Sequence, residues 1–146
     1  MQGLATPLKV TAFILSIFLM STGCERLRPV HQVQGKPLPV QAESLSLSQI
    51  ETRITKAGSS LGWLMKSIKP GEIRGTMRRG RHSAVVKIEY DTRSYDILYH
   101  SSDRMSEGIG FDETRYEGQK VIHKRFNKYV KNLDRQIENY LISAGS

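Results

Sequence analysis

Between residues 48 and 142 the apolar positions fall into two rhythms, and each predicts a different kind of element. Ile50, Ile54, Ala57, Leu61 and Leu64 recur at steps of three and four, which places them on one face of a helix. Ser48-Gln49-Ile50-Glu51 has capping-box spacing, so the helix is expected to begin at Ser48. Gly58 and Gly62 weaken its middle by about 1 kcal/mol each relative to alanine. Lys69-Pro70-Gly71 is expected to stop it.

Three runs of period two follow. Ile73, Gly75 and Met77 alternate with Glu72, Arg74 and Thr76; Ala84, Val86, Ile88 and Tyr90 alternate with Ser83, Val85, Lys87 and Glu89; and Tyr95, Ile97 and Tyr99 alternate with Asp96, Leu98 and His100. Gly80 opens a Gly-Arg pair suited to a type II′ hairpin, which sets Met77 against Ala84, Gly75 against Val86 and Ile73 against Ile88. A connection from Asp91 to Ser94 sets Tyr90 against Tyr95, Ile88 against Ile97 and Val86 against Tyr99. Both registers turn the same apolar residues to one face, and a slip of one residue would turn that face to water.

The helical rhythm returns with Ile122, Phe126, Tyr129, Leu133, Ile137 and Leu141, widened by Val130 and Tyr140. Two helices with apolar stripes and one apolar sheet face imply an α+β fold, a two-layer α-β-β-β-α arrangement with both helices on one side of a three-stranded antiparallel meander. Residues 101 to 118 form a long, irregular connection.

Upstream the rhythm disappears. The chain opens with Lys9, an uncharged apolar stretch from Val10 to Met20, and the small residues Ser21-Thr22-Gly23 before Cys24, its single cysteine. That order is a secretory signal. The run is shorter than the roughly 20 apolar residues a spanning helix needs. The segment resembles the bacterial lipobox, in which the invariant cysteine is acylated, with Ser21 standing where leucine is usual. An ordinary secretory signal with a leftover thiol, or an uncleaved anchor, is the alternative. An unpaired cysteine is anomalous in an exported protein, and lipidation accounts for it. By the same resemblance Glu25, rather than aspartate, after the cysteine implies the periplasmic face of the outer membrane.

The expected organisation is a signal peptide over 1–23, lipidated Cys24 with a flexible tether over 24–44 carrying Pro29, Pro37 and Pro39, one domain over 45–142, and a tail over 143–146. The leader carries one lysine and no acid, so its removal takes the formal charge from +8 to +7. With one cysteine no intrachain disulfide can form, and packing alone must hold the domain.

The folded part also resembles a family of small proteobacterial lipoproteins without an established biochemical role. The likeness lies in Gly62-Trp63, Pro70-Gly71-Glu72-Ile73, the strand from His82 to Tyr90, Tyr95-Asp96-Ile97-Leu98-Tyr99 with Ser102, and Ile122-His123 with Phe126-Asn127-Lys128-Tyr129-Val130. It implies a fold and a location and transfers no catalytic residue.

No enzyme signature stands out. His31 falls in the tether, and strand parity sends His82 and His100 to opposite faces of the sheet. His100 beside Ser101, Ser102 and Asp103 has the letters of a triad, but consecutive residues seldom converge on one point. His123 sits one helical turn from Asn127, as a cap or a solvent-facing pair would. Metal-ligand spacing, phosphate loops and dinucleotide fingerprints are missing from the sequence. The chain is therefore read as a non-enzyme without cofactor beyond the lipid on Cys24, with an enzyme using the 101–118 loop as the remote exception.

The leading candidate for binding is the basic hairpin of Arg78, Arg79 and Arg81, backed by Arg74 and Lys87. Arginine's planar fork suits phosphate and carboxylate. The expected partners are anionic lipid, lipopolysaccharide, peptidoglycan or an acidic envelope protein; nucleic acid is disfavoured by the exported location. Arginines at a turn can equally serve only to keep it solvated. Val85 and Leu98, on the sheet face opposite the core, are the candidate contacts for an envelope-assembly partner, or else scattered surface apolars. Trp63, Tyr90, Tyr95 and Tyr99 read as core rather than as a ligand cleft.

Overall fold

The structure, a computed structural model, describes residues 27–106, 108–109, 116 and 118–143. Among these residues are eight strands, two α-helices and a short 3-10 helix (Val40–Ala42): β1 (Leu27–Pro29), β2 (Val33–Pro37), α1 (Leu47–Ser60), β3 (Leu64–Lys69), β4 (Glu72–Arg79), β5 (His82–Tyr90), β6 (Ser94–Asp103), β7 (Gly108–Ile109), β8 (Lys120–His123) and α2 (Lys124–Ile142). The main sheet has five antiparallel strands in the order β2-β6-β5-β4-β3, and a small sheet runs β1-β8-β7. This corrects the expected α-β-β-β-α meander, which has three strands and no second sheet. Among the described residues no helix is long and apolar enough to cross a membrane.

The inner three strands pair as their alternation dictates. Met77 faces Ala84, Gly75 faces Val86, and Ile73 faces Ile88 and through it Ile97. Gly80 has φ +59° at the first central position of a two-residue turn, while Arg81 keeps negative φ, the pattern of a type II′ hairpin. A bulge after Val85 shifts the last part of β6, so that Val85 faces Ser101 and His100 becomes the extra residue.

The two additional edges come from segments with other expected structures. α1 is capped by Ser46 and Gln49, whose side chains bond each other's backbone amides, two residues before the expected start at Ser48. It ends at Ser60, not near Lys69, because Gly62 takes the left-handed conformation at φ +84° and the Trp63 amide closes on the Gly58 carbonyl. Leu64 to Lys69 is thereby released as β3, and Pro70-Gly71 becomes a β3–β4 hairpin turn with Gly71 at φ +86°.

On the opposite edge β2 occupies the segment expected to be a tether. Its prolines suit the ends and edge of a sheet, where a missing N–H costs least. Two clasps hold this segment. Lys36 Nζ lies 2.9 Å from Asp134 and 3.1 Å from Glu138, and the Tyr95 hydroxyl donates to the same Asp134 carboxylate at 2.6 Å. Asn127 accepts from the His31 amide at 2.9 Å and donates to the Pro29 carbonyl at 2.8 Å.

The core is one cluster beneath the sheet. Ile50, Ile54 and Ala57 of α1 and Phe126, Val130, Leu133, Ile137 and Leu141 of α2 meet Ile73, Val86, Ile88, Tyr95 and Ile97. Phe126 stands edge-on to Tyr99 with ring centroids 5.4 Å apart. Ile122, expected on the helix stripe, is buried from β8 instead.

Three of these groups predict how stability responds to alkali. Burial, then the hydrogen bond to Asp134, pushes the Tyr95 hydroxyl far above the usual tyrosine range. Burial and the hydrogen bond to Glu51 push Tyr90 up to about 12. Burial opposes the charge on Lys36, but its bonds to Asp134 and Glu138 outweigh that and raise its pKa. Each folded pKa exceeds the unfolded value, so the protonated form stabilises the fold fully below about pH 10 and ever less above it. The urea midpoint is expected to stay level up to about pH 9.5 and to fall above about pH 10, less steeply in Tyr90→Phe than in the parent. Equal slopes in the two proteins would contradict this assignment.

Candidate functional site

Among the described residues no helix covers the outer face of the main sheet, and its side chains form three cross-strand rows. Leu64, Thr76, Val85 and Ser101 make the first; Lys66, Arg74, Lys87 and Leu98 the second; Lys69, Glu72, Glu89 and Asp96 the third. Like charges side by side repel. Here two of the basic residues lean on the acidic row: Arg74 Nη2 is 3.6 Å from Glu72, and Lys87 Nζ is 2.8 Å from Glu89. The Glu89 hydrogen bond, chiefly, raises the Lys87 pKa. Arg74 Nη1 also meets His100 Nε2 at 3.0 Å. Arg74 and Lys87 are thus committed within the sheet face and do not reach the hairpin tip.

Arg78, Arg79 and Arg81 are all exposed at the tip, with Arg79 Nη2 lying toward Gly62. They are joined by Arg104, which the sequence reading missed. The bulge after Val85 brings the end of β6 alongside β5, and the His82 ring bonds the Arg104 carbonyl across 2.6 Å. Arg78, Arg81, His82, Ser83, Asp103 and Arg104 border a concavity of about 420 Å³. Asp103 is the one acid among its described lining residues, 3.9 Å from Arg104 Nε. The tip therefore presents a surplus of guanidinium groups around a shallow bowl, a geometry able to take an anion's oxygens.

Val85 and Leu98 sit half-buried in different rows, separated by Lys87. Leu64, 73% exposed, extends the Val85 row to the sheet's edge. The apolar positions do not merge into one patch.

A second basic surface lies on α2. Lys124, Lys128, Lys131 and Arg135 are spaced four, three and four residues apart and form one stripe. They line a groove of about 680 Å³ whose other wall is Arg28, Pro29, Val30 and His31. The Asn127 clasp fixes that wall, and Arg28 donates to the Tyr116 hydroxyl at 3.2 Å. Among the described residues no carboxylate lies within ion-pair distance of the four helix cations. Each adjacent like-charge pair on a helix costs roughly 0.2–0.5 kcal/mol. Burial, and then the nearby Lys131, lower the His31 pKa against a smaller opposing pull from Asp134, which keeps the imidazole neutral near pH 7.

The remaining histidines have local partners. His123 Nδ1 accepts from the Arg125 amide at 3.2 Å and caps α2, while the His123 amide bonds the Met105 carbonyl. His100 and Ser101 to Asp103 extend along β6 rather than converging. Among the described residues no three His, Cys, Asp or Glu side chains could hold a metal ion. Cys24, the signal segment 1–23, most of the 101–118 loop beyond Ser106, and residues 144–146 lie outside the described residues.

Comparison with known protein families, curated proteins and solved structures returns no match to this chain.

Proposed function

We propose that this chain is a lipoprotein held at the periplasmic face of the outer membrane by acylated Cys24, and that its domain is a non-catalytic module that binds an anionic component of the envelope. The anchor rests on the lipobox-like Ser21-Thr22-Gly23-Cys24, and on the resemblance to small proteobacterial lipoproteins already described. The binding role rests on one observation above all: Arg78, Arg81 and Arg104 border a bowl with a single acid among its described lining residues, and Arg79 is exposed beside it. Such a surface favours phosphate or carboxylate groups.

Arg78, Arg79 and Arg81 are each worth about 1 kcal/mol at an anionic surface, so replacing all three by serine is expected to weaken association by roughly a hundredfold at low salt. The measurement is co-sedimentation of the chain from Glu25 onward, which lacks the acylated cysteine, with vesicles containing phosphatidylglycerol and with lipopolysaccharide. Retention of both ligands by the triple variant would refute the hairpin assignment.

A second reading has the Leu64–Val85 row to support it: an envelope-assembly partner seated on the outer sheet face, with Leu98 at its margin. A pull-down that survives high salt and depends on Val85 and Leu98 would favour this reading over the first.

A further inference from the structure

The described fold begins at Leu27, three residues after Cys24. Three residues reach at most about 11 Å when fully extended. Leu27 pairs with His123, the residue immediately before α2, and Arg28 lines the α2 groove. A chain leading back to an acylated Cys24 therefore departs from the mouth of the basic groove on α2. The long tether expected from the prolines is spent inside the fold as β1 and β2, so the domain is held close to whatever Cys24 is held in.

We propose that the groove between α2 and the β1–β2 connection seats the phosphates of anionic lipids in the leaflet that carries the Cys24 anchor, so that the domain lies along the membrane. This rests on the lipidated-cysteine reading above. Three features agree on the occupant. Lys124, Lys128, Lys131 and Arg135 run about 16 Å along α2, long enough to meet more than one headgroup. The described residues of the groove lining include no acid, whereas on the outer sheet face Arg74 and Lys87 are paired with acidic neighbours. The anchor's reach is comparable to a Debye length of about 8–10 Å, so the nearest cations are held where the surface's attraction is only partly screened.

The hairpin adds to this arrangement. His82 bonds the Arg104 carbonyl, and the next residue, Met105, accepts from the His123 amide. The arginine bowl and the start of α2 therefore occupy the same end of the molecule. A domain standing on that end would touch the membrane with Lys124 alone among the helix cations. A domain lying on the groove would bring down the whole stripe, and Asn132 with it.

Asn132→Cys distinguishes the two. The acylated protein is purified in neutral detergent, and the lipid on Cys24 is checked by mass. The introduced cysteine is then the one free thiol and takes a fluorescent label. The protein is reconstituted in phosphatidylcholine nanodiscs with or without about one-third phosphatidylglycerol, and quenching by a headgroup-attached quencher is read. Anionic lipid is expected to increase quenching about threefold at low salt; Lys128→Gln with Lys131→Gln should abolish the increase, and Lys128→Arg with Lys131→Arg should keep it. A label on Lys66→Cys, on the outer sheet face, should not respond.

No increase at Asn132, or an increase that survives the glutamine pair, overturns the proposal. Loss of the increase on adding inorganic phosphate at matched ionic strength also overturns it, since the groove would then take free phosphate. Should Cys24 carry no lipid, the anchor reading fails separately. Vesicle association of that unmodified chain, parent against the glutamine pair, still reads whether the groove binds anionic lipid.

Discussion

A chain that starts at Leu38 is expected not to fold. The removed segment includes β1, β2 and the connection that walls the α2 groove, all of it expected from sequence to be a tether. Its loss strips half-buried Val30 and Val33 from the core, worth roughly 2–4 kcal/mol together. It also removes both backbone partners of Asn127, and Lys36 from Asp134, for about 2–3 kcal/mol more. β6 loses the strand beside it and becomes an edge. The sum is of the same size as the total stability of an ordinary domain, about 5–15 kcal/mol. Circular dichroism and urea unfolding of the truncated chain should show no cooperative transition, while deletion of 1–23 alone should leave the transition in place. A cooperative melt near the parent's from the truncated chain would mean that β2 is ornamental.

That segment also shows where sequence reading reached its limit. β4, β5 and the first part of β6 are legible because each is buried on one face, so their alternation is enforced residue by residue. β2 is a short edge strand with Gly35 at φ +58° and an irregular register, so period two never develops. β3 was hidden by coincidence. Leu61 and Leu64 keep helical spacing with Ile54 and Ala57, and Gly62, which ends the helix, reads as a mere weakness in it until its positive φ is known. At the hairpin, three arginines were visible in one stretch of sequence, but Arg104 arrives through a bulge that no pattern announces. Arg74 and Lys87 were drawn into the same cluster because strand parity gives the face and not the partners; Glu72 and Glu89 claim them. The α2 groove was invisible for a further reason. Lys124, Lys128 and Lys131 look like the solvated side of an amphipathic helix, and the wall that makes them a groove comes from residues about 100 positions earlier.

Phe126→Ala is the second large effect expected, and it bears on both basic surfaces at once. Phe126 is fully buried at the first turn of α2, edge-on to Tyr99 of β6, and next to Asn127, whose side chain clasps the groove wall. Truncation removes the apolar contact and leaves a void that the rigid sheet beneath cannot close, a loss of about 3–5 kcal/mol. For a domain of this size that lowers the melting temperature by on the order of 10–20 °C. Because Phe126 lies in the first turn of α2 and packs on Tyr99 of β6, the damage should be felt first where the helix begins, at His123 and Asn127. Hydrogen exchange should therefore show the His31 amide, bonded to Asn127, losing protection before the Ile88 amide in the middle of the sheet. Phe126→Leu keeps most of the volume and should recover more than half of the loss. Uniform loss of protection across sheet and groove in Phe126→Ala would mean that α2 and the sheet unfold as one unit, and that the groove has no stability of its own to be tuned by a ligand.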